Sequence, residues 1–228
     1  MKPSVRIEKE VDKMKEQIVK KILENKVIAI IRGLSPEDAV KTAKAFAAGG
    51  IRLIEVTFNQ AKPESFPDTA KSIAAIKREC DGVNVGAGTV LSCEQVDIAK
   101  NAGAEFIISP DADEAVIRHT VASGLVSIPG AYTATEIKRA HDAGADFVKV
   151  FPCLENATAY IKAIRAPLSH IKLLAVGGVT LDNAADFLSA GCVGVGVGSS
   201  LVNKEFIKNG EYDKLTDLAK AFVEKTRI

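Results

Sequence analysis

Long apolar runs are missing from this chain, and so is any excess of charge. No stretch of the 228 residues is apolar over the roughly 20 positions needed to cross a bilayer. The 30 basic and 29 acidic side chains are spread along the sequence and leave a net charge of +1. That balance gives no electrostatic footprint for nucleic acid or an anionic membrane surface. The first 26 residues are charged throughout and lack the apolar core of a signal peptide, so they read as an amphipathic helix with a solvated polar face. Cysteine is scarce as well. Cys80, Cys93, Cys153 and Cys192 form no CxxC pair, and a chain this long needs no disulfide framework. A reducing, cytoplasmic setting is expected. His119, His141 and His170 have no metal-ligand spacing with each other or with the cysteines, so neither a metal nor a cofactor is expected. Cys153 reads as a bystander thiol.

What is present is repetition. Eight short apolar runs occupy residues 27–32, 51–57, 83–89, 104–109, 125–129, 145–151, 171–176 and 192–198. The gaps between them each suit one helix and two loops. A small residue followed by glycine precedes five of the runs, at Ala48-Gly49, Ala102-Gly103, Ser123-Gly124, Ala143-Gly144 and Ala190-Gly191. Glycine there ends a helix. Helix starts follow many of the runs. Ser35-Pro36-Glu37-Asp38 combines a cap, a first-turn proline and first-turn acids, and Ser92/Gln95, Asp111/Glu114 and Thr133/Glu136 resemble capping boxes. The runs are nearly continuous rather than alternating, which implies strands buried on both faces of a parallel sheet. Eight such units with no linker predict a single α/β domain over 1–228: a (β/α)8 TIM barrel preceded by a helix over 1–26. An open doubly wound sheet is the competing architecture.

Alternate side chains of a barrel strand point into an interior that is normally apolar. Three runs break this rule. Arg32 ends the first, Glu55 shares parity with Leu53 and Thr57 in the second, and Lys149 shares parity with Phe147 and Phe151 in the sixth. All three fall toward the C-terminal ends of their strands, where barrel active sites lie. They form either an ion network plugging the mouth or a catalytic lysine with an acid/base partner. A desolvated lysine is held neutral and becomes a nucleophile toward a ketone, with Glu55 placed for the proton transfers. The glycine-rich ends Gly177-Gly178 and Gly194 to Gly198, followed by Ser199, expose backbone N–H groups after the seventh and eighth strands, the usual phosphate site of barrels.

The order and spacing of several motifs resemble one family. They are Ile28-Ala29-Ile30-Ile31-Arg32-Gly33, Ile54-Glu55-Val56-Thr57, Val85-Gly86-Ala87-Gly88-Thr89-Val90, Ile108-Ser109-Pro110, Ile128-Pro129-Gly130, Val148-Lys149-Val150-Phe151-Pro152, Val176-Gly177-Gly178 and Gly198-Ser199. Together the sequence is similar to the class I 2-keto-3-deoxy-6-phosphogluconate (KDPG) / 4-hydroxy-2-oxoglutarate (KHG) aldolases over nearly its whole length. The resemblance implies a homotrimeric barrel that splits a phosphorylated 2-keto acid into pyruvate and glyceraldehyde 3-phosphate. It implies Lys149 as the Schiff-base residue and Glu55 as the acid/base. It also implies Thr89, Pro110 and Phe151 around pyruvate, Arg32 and Asn59 on substrate, and Gly177, Gly178, Gly198 and Ser199 on phosphate. Asn59 stands where some members carry arginine, and Val176 where a threonine is frequent. Members acting on the galactonate epimer share the asparagine, so the C4 epimer and 4-hydroxy-2-oxoglutarate stay open as substrates. Two other functions remain from the residues themselves: a sugar-phosphate isomerase or epimerase using Glu55 as base, and a non-catalytic sugar-phosphate-binding barrel.

Overall fold

The structure, a computed structural model, describes residues 3–227, with side chains from residue 11 onward. Helix α1 (Pro3–Asn25) leads into β1 (Val27–Ile31), α2 (Pro36–Ala48), β2 (Leu53–Thr57), α3 (Phe66–Glu79), β3 (Asn84–Gly88), α4 (Cys93–Asn101), β4 (Phe106–Ile108) and α5 (Glu114–Ala122). The chain continues through β5 (Val126–Ile128), β6 (Gly130–Ala131), α6 (Ala134–Asp142), β7 (Val148–Val150), α7 (Ala157–Arg165), β8 (Leu173–Val176), α8 (Ala184–Ser189), β9 (Gly194–Val197), α9 (Lys204–Lys208) and α10 (Tyr212–Lys225). The expected helix over 1–26 is α1; residues 1 and 2 lie outside the described residues.

Every strand pairing is parallel, and the order runs β5-β4-β3-β2-β1-β9-β8-β7-β6. The two ends of that list are halves of one strand, divided only by Pro129. Proline has no N–H to give a neighbouring ladder, so Pro129 interrupts the run while the segment keeps neighbours on both sides: Ser127 O accepts from Asp146 N–H at 3.0 Å, and Gly130 N–H donates to Asp111 O at 3.0 Å. Ile128 accepts from Ser109 N–H at 3.2 Å on the β4 side, and Pro129 accepts from Lys149 N–H at 2.8 Å on the β7 side. The sheet therefore closes through the chain itself, giving the eight-strand barrel. The expected fifth strand ended at residue 129; in fact it continues for two more residues.

Parity sorts the apolar side chains into two shells. Ile28, Leu53, Phe106, Ile108, Val126, Ile128, Phe147 and Leu174 fill the tube, while Val27, Ala29, Ile54, Val56, Val148 and Val150 face the helices. Ile18 and Ile22 of α1 join the inner set, so this helix closes the N-terminal end of the tube. Its seat is fixed electrostatically: Lys15 pairs with half-buried Asp146 at 3.0 Å, and Asp146 also accepts from Ser127 N–H at 2.9 Å.

The punctuation works as its chemistry requires, with three adjustments. Ser35 accepts from Asp38 N–H at 3.1 Å, and Thr133 with Glu136 forms a complete capping box. The cap of α5 is Asp113, which accepts from Ala115 and Val116 N–H, rather than Asp111. At the end of α2 the left-handed residue is Gly50 (φ +98°), while Gly49 is right-handed and is glycine for space, since a Cβ there would meet Ala219 Cβ at 2.4 Å. Ser92 caps α4 by accepting from Gln95 N–H, but the Gln95 side chain turns away toward other partners.

Ile22 is fully buried at the junction of helix and tube. Ile22→Ala is expected to lower the unfolding free energy by about 2–5 kcal/mol, read from urea denaturation. A change under about 0.5 kcal/mol would mean that α1 is not part of the cooperative core.

Candidate active site

One cavity of about 370 Å³ opens at the C-terminal mouth of the barrel. Arg32, Glu55, Thr89, Pro110, Lys149, Phe151, Gly177, Gly178, Gly198 and Ser199 all line it. Ten of the eleven positions singled out from the sequence thus meet in one place. Asn59 does not. It is exposed, accepts from Ala61 N–H at 3.1 Å, and lines a separate depression between the loops after β1 and β2. A second adjustment concerns Arg32. β1 ends at Ile31, so the guanidinium sits exposed on the rim and only two of these three charges are buried.

Those two are Glu55 at 3% exposure and Lys149 at 7%. Their interior parity follows from the strand pleat, with Leu53 below Glu55 and Phe147 below Lys149. Burial pushes the Lys149 ammonium down from its ordinary range. Glu55 opposes that shift and Arg32 adds to it. Burial likewise pushes the Glu55 carboxyl up, against the pull of Lys149 and Arg32. No direct ion pair within 4.0 Å joins the two among the described residues. Each shifts toward its neutral form, and both border the same cavity. A neutral amine and a nearby proton carrier are the parts that attack on a ketone demands.

The surrounding backbone is cut to fit these side chains. Gly88 on β3 leaves the space that the Glu55 carboxylate occupies: a Cβ at residue 88 would lie 1.6 Å from Glu55 Oε1. Thr89, the next residue, is held at φ +55°, a conformation that costs a β-branched residue about 1–3 kcal/mol. Its Oγ1 accepts from Arg32 Nη2 at 3.1 Å. Phe151 places its ring centroid 4.5 Å from Lys149 Nζ. On the far side, Gly177 and Gly178 turn through φ +86° and +70°. A side chain on Gly178 would strike the Cys153 carbonyl oxygen at 2.4 Å. After β9, Gly198 accepts from Leu201 and Val202 N–H, so residues 198–202 make a single helical turn. The leading N–H groups of such a turn find no acceptor inside it. Ser200 Oγ donates to Val179 O at 2.7 Å and joins the two glycine loops.

Several residues in or beside the cavity were not singled out as site residues. Ile30 and Val176 line it and share the inward parity of their strands; of the two, Ile30 was legible in principle and Val176 was noted only where a threonine is frequent. Gln60 carried no signal: it lies in an irregular loop, yet donates to Thr89 O at 2.5 Å. Asp111, read as a cap, instead acts electrostatically on Lys149 and accepts from Gly130 N–H at 3.0 Å through its backbone. The histidines stand apart from the site. His119 pairs with Asp97 at 2.8 Å, and His141 packs edge-on against His170. The Cys153 thiol is pushed up to about 11 by burial and donates to Val150 O at 3.3 Å.

A barrel whose mouth holds a buried lysine shifted toward its neutral amine, beside a buried glutamate shifted toward its acid form, is built as a class I, Schiff-base aldolase. Comparison with known proteins narrows this. A family model described as "KDPG and KHG aldolase" matches residues 18–218. The 2-dehydro-3-deoxy-phosphogluconate aldolase of Treponema pallidum is 38% identical over 195 residues, covering 85% of this chain and 90% of the relative. The 2-dehydro-3-deoxy-6-phosphogalactonate aldolase of Escherichia coli is 38% identical over 203 residues, covering 88% and 94%. The crystal structure of a KDPG aldolase from Legionella pneumophila, with pyruvate captured as a covalent carbinolamine, superposes with a TM-score of 0.77 at 29% identity, covering 87% of this chain and 94% of that one. The chain belongs to the KDPG/KHG aldolase family.

The gap above Gly88 gives a direct test of the site. Gly88→Ala should displace the Glu55 carboxylate and lower kcat for aldol cleavage by about 10²-fold, with the far-ultraviolet circular dichroism of the barrel retained. Turnover within twofold of the parent would show that Glu55 does not need that space.

Proposed function

We propose that this chain splits 2-keto-3-deoxy-6-phosphogluconate or its galactonate epimer into pyruvate and glyceraldehyde 3-phosphate through a Schiff base on Lys149. The observation that carries the proposal is the Lys149 amine, buried in an apolar tube, shifted toward neutrality and open to the same cavity as Glu55. The amine attacks the C2 ketone to give a carbinolamine, which loses water to form an iminium as Glu55 donates its proton to the departing hydroxyl and is left as the carboxylate. The C4 hydroxyl then gives its proton to Glu55 and the C3–C4 bond breaks. Its electron pair passes into the iminium, leaving an enamine as the aldehyde departs. Protonation at C3 and hydrolysis release pyruvate and return the free amine.

The remaining roles follow from charge and geometry. Thr89 Oγ1 already accepts from Arg32, so its own proton is left to donate. With the Arg32 guanidinium it suits the carboxylate of the keto acid, while Phe151 and Pro110 wall the pyruvate methyl carbon. The N–H groups around Gly177, Gly178, Gly198 and Ser199 suit the phosphate. Val176 borders the cavity and adds no hydrogen-bond partner for the C4 hydroxyl beyond Glu55. The same reading takes the chain to be a cytoplasmic homotrimer. Four free cysteines support the reducing compartment, and exposed Leu154 and Leu91 are apolar groups that a subunit contact would cover.

Incubation with pyruvate and borohydride should leave a stable adduct on Lys149, located by mass spectrometry, and Lys149→Ala should lose both adduct and cleavage. Because burial lowers the Lys149 pKa, the neutral amine accumulates at lower pH than for a free lysine. The trapping rate should therefore rise with pH and level off below the ordinary lysine value of 10.5. An adduct elsewhere, or none, would favour isomerase or simple binding chemistry. With Glu55 as the one partner of the C4 hydroxyl and an apolar Val176 wall adding none, the pocket discriminates weakly, so kcat/KM for the two C4 epimers should agree within about tenfold. A preference beyond about a hundredfold would place a discriminating group opposite that hydroxyl.

A further inference from the structure

Thr89 holds a backbone conformation that it would not adopt unaided, and a chain of side-chain amides holds it there. Leu91 N–H donates to Gln95 Oε1 at 2.6 Å, Gln95 Nε2 donates to Gln60 Oε1 at 3.0 Å, and Gln60 Nε2 donates to Thr89 O at 2.5 Å. The direction of this relay is fixed from its start. A backbone N–H can only donate, so the Gln95 atom facing Leu91 is its oxygen. That leaves the Gln95 nitrogen for Gln60, whose oxygen must then face it. The Gln60 nitrogen is left for the Thr89 carbonyl. Gln95 is 4% exposed and pinned in the first turn of α4, and its own N–H is taken by Ser92 Oγ at 3.2 Å. The relay thus runs from a rigid helix start to the one strained non-glycine residue that borders the cavity. Turning the Thr89 peptide would break the bond to Gln60 and withdraw Oγ1 from Arg32.

We infer that Gln60 and Gln95 are positioning residues that lock Thr89 in its left-handed conformation and so set the affinity for the carboxylate end of the keto acid. This rests on the assignment of that end to Thr89 and Arg32. Carboxylate contacts are the same before and during bond cleavage, so losing them weakens binding while sparing the chemical step.

The test is borohydride trapping across pyruvate concentrations, paired with cleavage kinetics. Gln60→Ala should raise half-saturating pyruvate and KM about tenfold while kcat changes less than threefold. Gln95→Glu should act in the same direction without any truncation. A carboxylate at residue 95 offers no donor to Gln60, so the Gln60 amide flips and turns its oxygen on the Thr89 carbonyl. This second variant decides the matter if Gln60→Ala does not fold. In a Thr89→Gly background, where no strain needs holding, Gln60→Ala should add no further effect. Half-saturation unchanged in both glutamine variants, a fall confined to kcat, or effects that simply multiply with Thr89→Gly would each overturn the inference while leaving the aldolase assignment intact. A parent protein that traps no pyruvate would overturn both.

Discussion

The desolvation of Lys149 is the constraint on which the rest of this molecule turns. An ammonium ion inside an apolar tube is costly, and the tube is kept dry by Phe147 beneath the lysine and by the ring of Phe151 beside it. Relief comes from a shift toward the neutral amine rather than from a tight ion pair. Glu55 is near enough to act on the lysine electrostatically, yet forms no direct bridge to it. A close salt bridge would have stabilised the charged amine and occupied the space a substrate needs. Distance between the two groups is therefore as much a part of the site as their proximity to the cavity.

Around that pair the architecture works largely by omission. Gly86 makes room for the Phe106 ring, Gly88 for the Glu55 carboxylate, and Gly196 for Val176 and Ile30. Each absent side chain lets a neighbour take a position that a packed interior would deny it. The inward residues of β3 and β9 are small so that those of β2, β4 and β8 can be large or charged.

The fold was legible because its signals are periodic and local. Continuous apolar runs, helix-ending glycines and caps such as Ser35 and Thr133 each depend on a few adjacent residues. Parity alone carried Glu55 and Lys149 into the interior, since strand pleating leaves no other option. What stayed hidden depends on contacts between distant segments. Asp111 and Asp113 are both plausible caps, and only the path of the loop selects the second. Ser92 and Gln95 have capping-box spacing, yet the glutamine side chain is drawn off by Gln60, which sits 35 residues earlier in the chain. Asn59 came from the family resemblance alone, and its side chain accepts from Ala61 N–H in the loop after β2. The split at Pro129 is written in the sequence as a residue without a donor; that β4 and β7 flank the segment on its two sides is a property of the closed ring.

Closing the lower opening with α1 rather than with side chains from the strands has its own implication. The ring supplies the reactive rim, while a separate segment supplies the stopper, tied down by Lys15 and Asp146. Substitutions that retune chemistry at one opening need not compromise the seal at the other. Such a division frees the upper loops to diversify on a vessel whose base is already sealed.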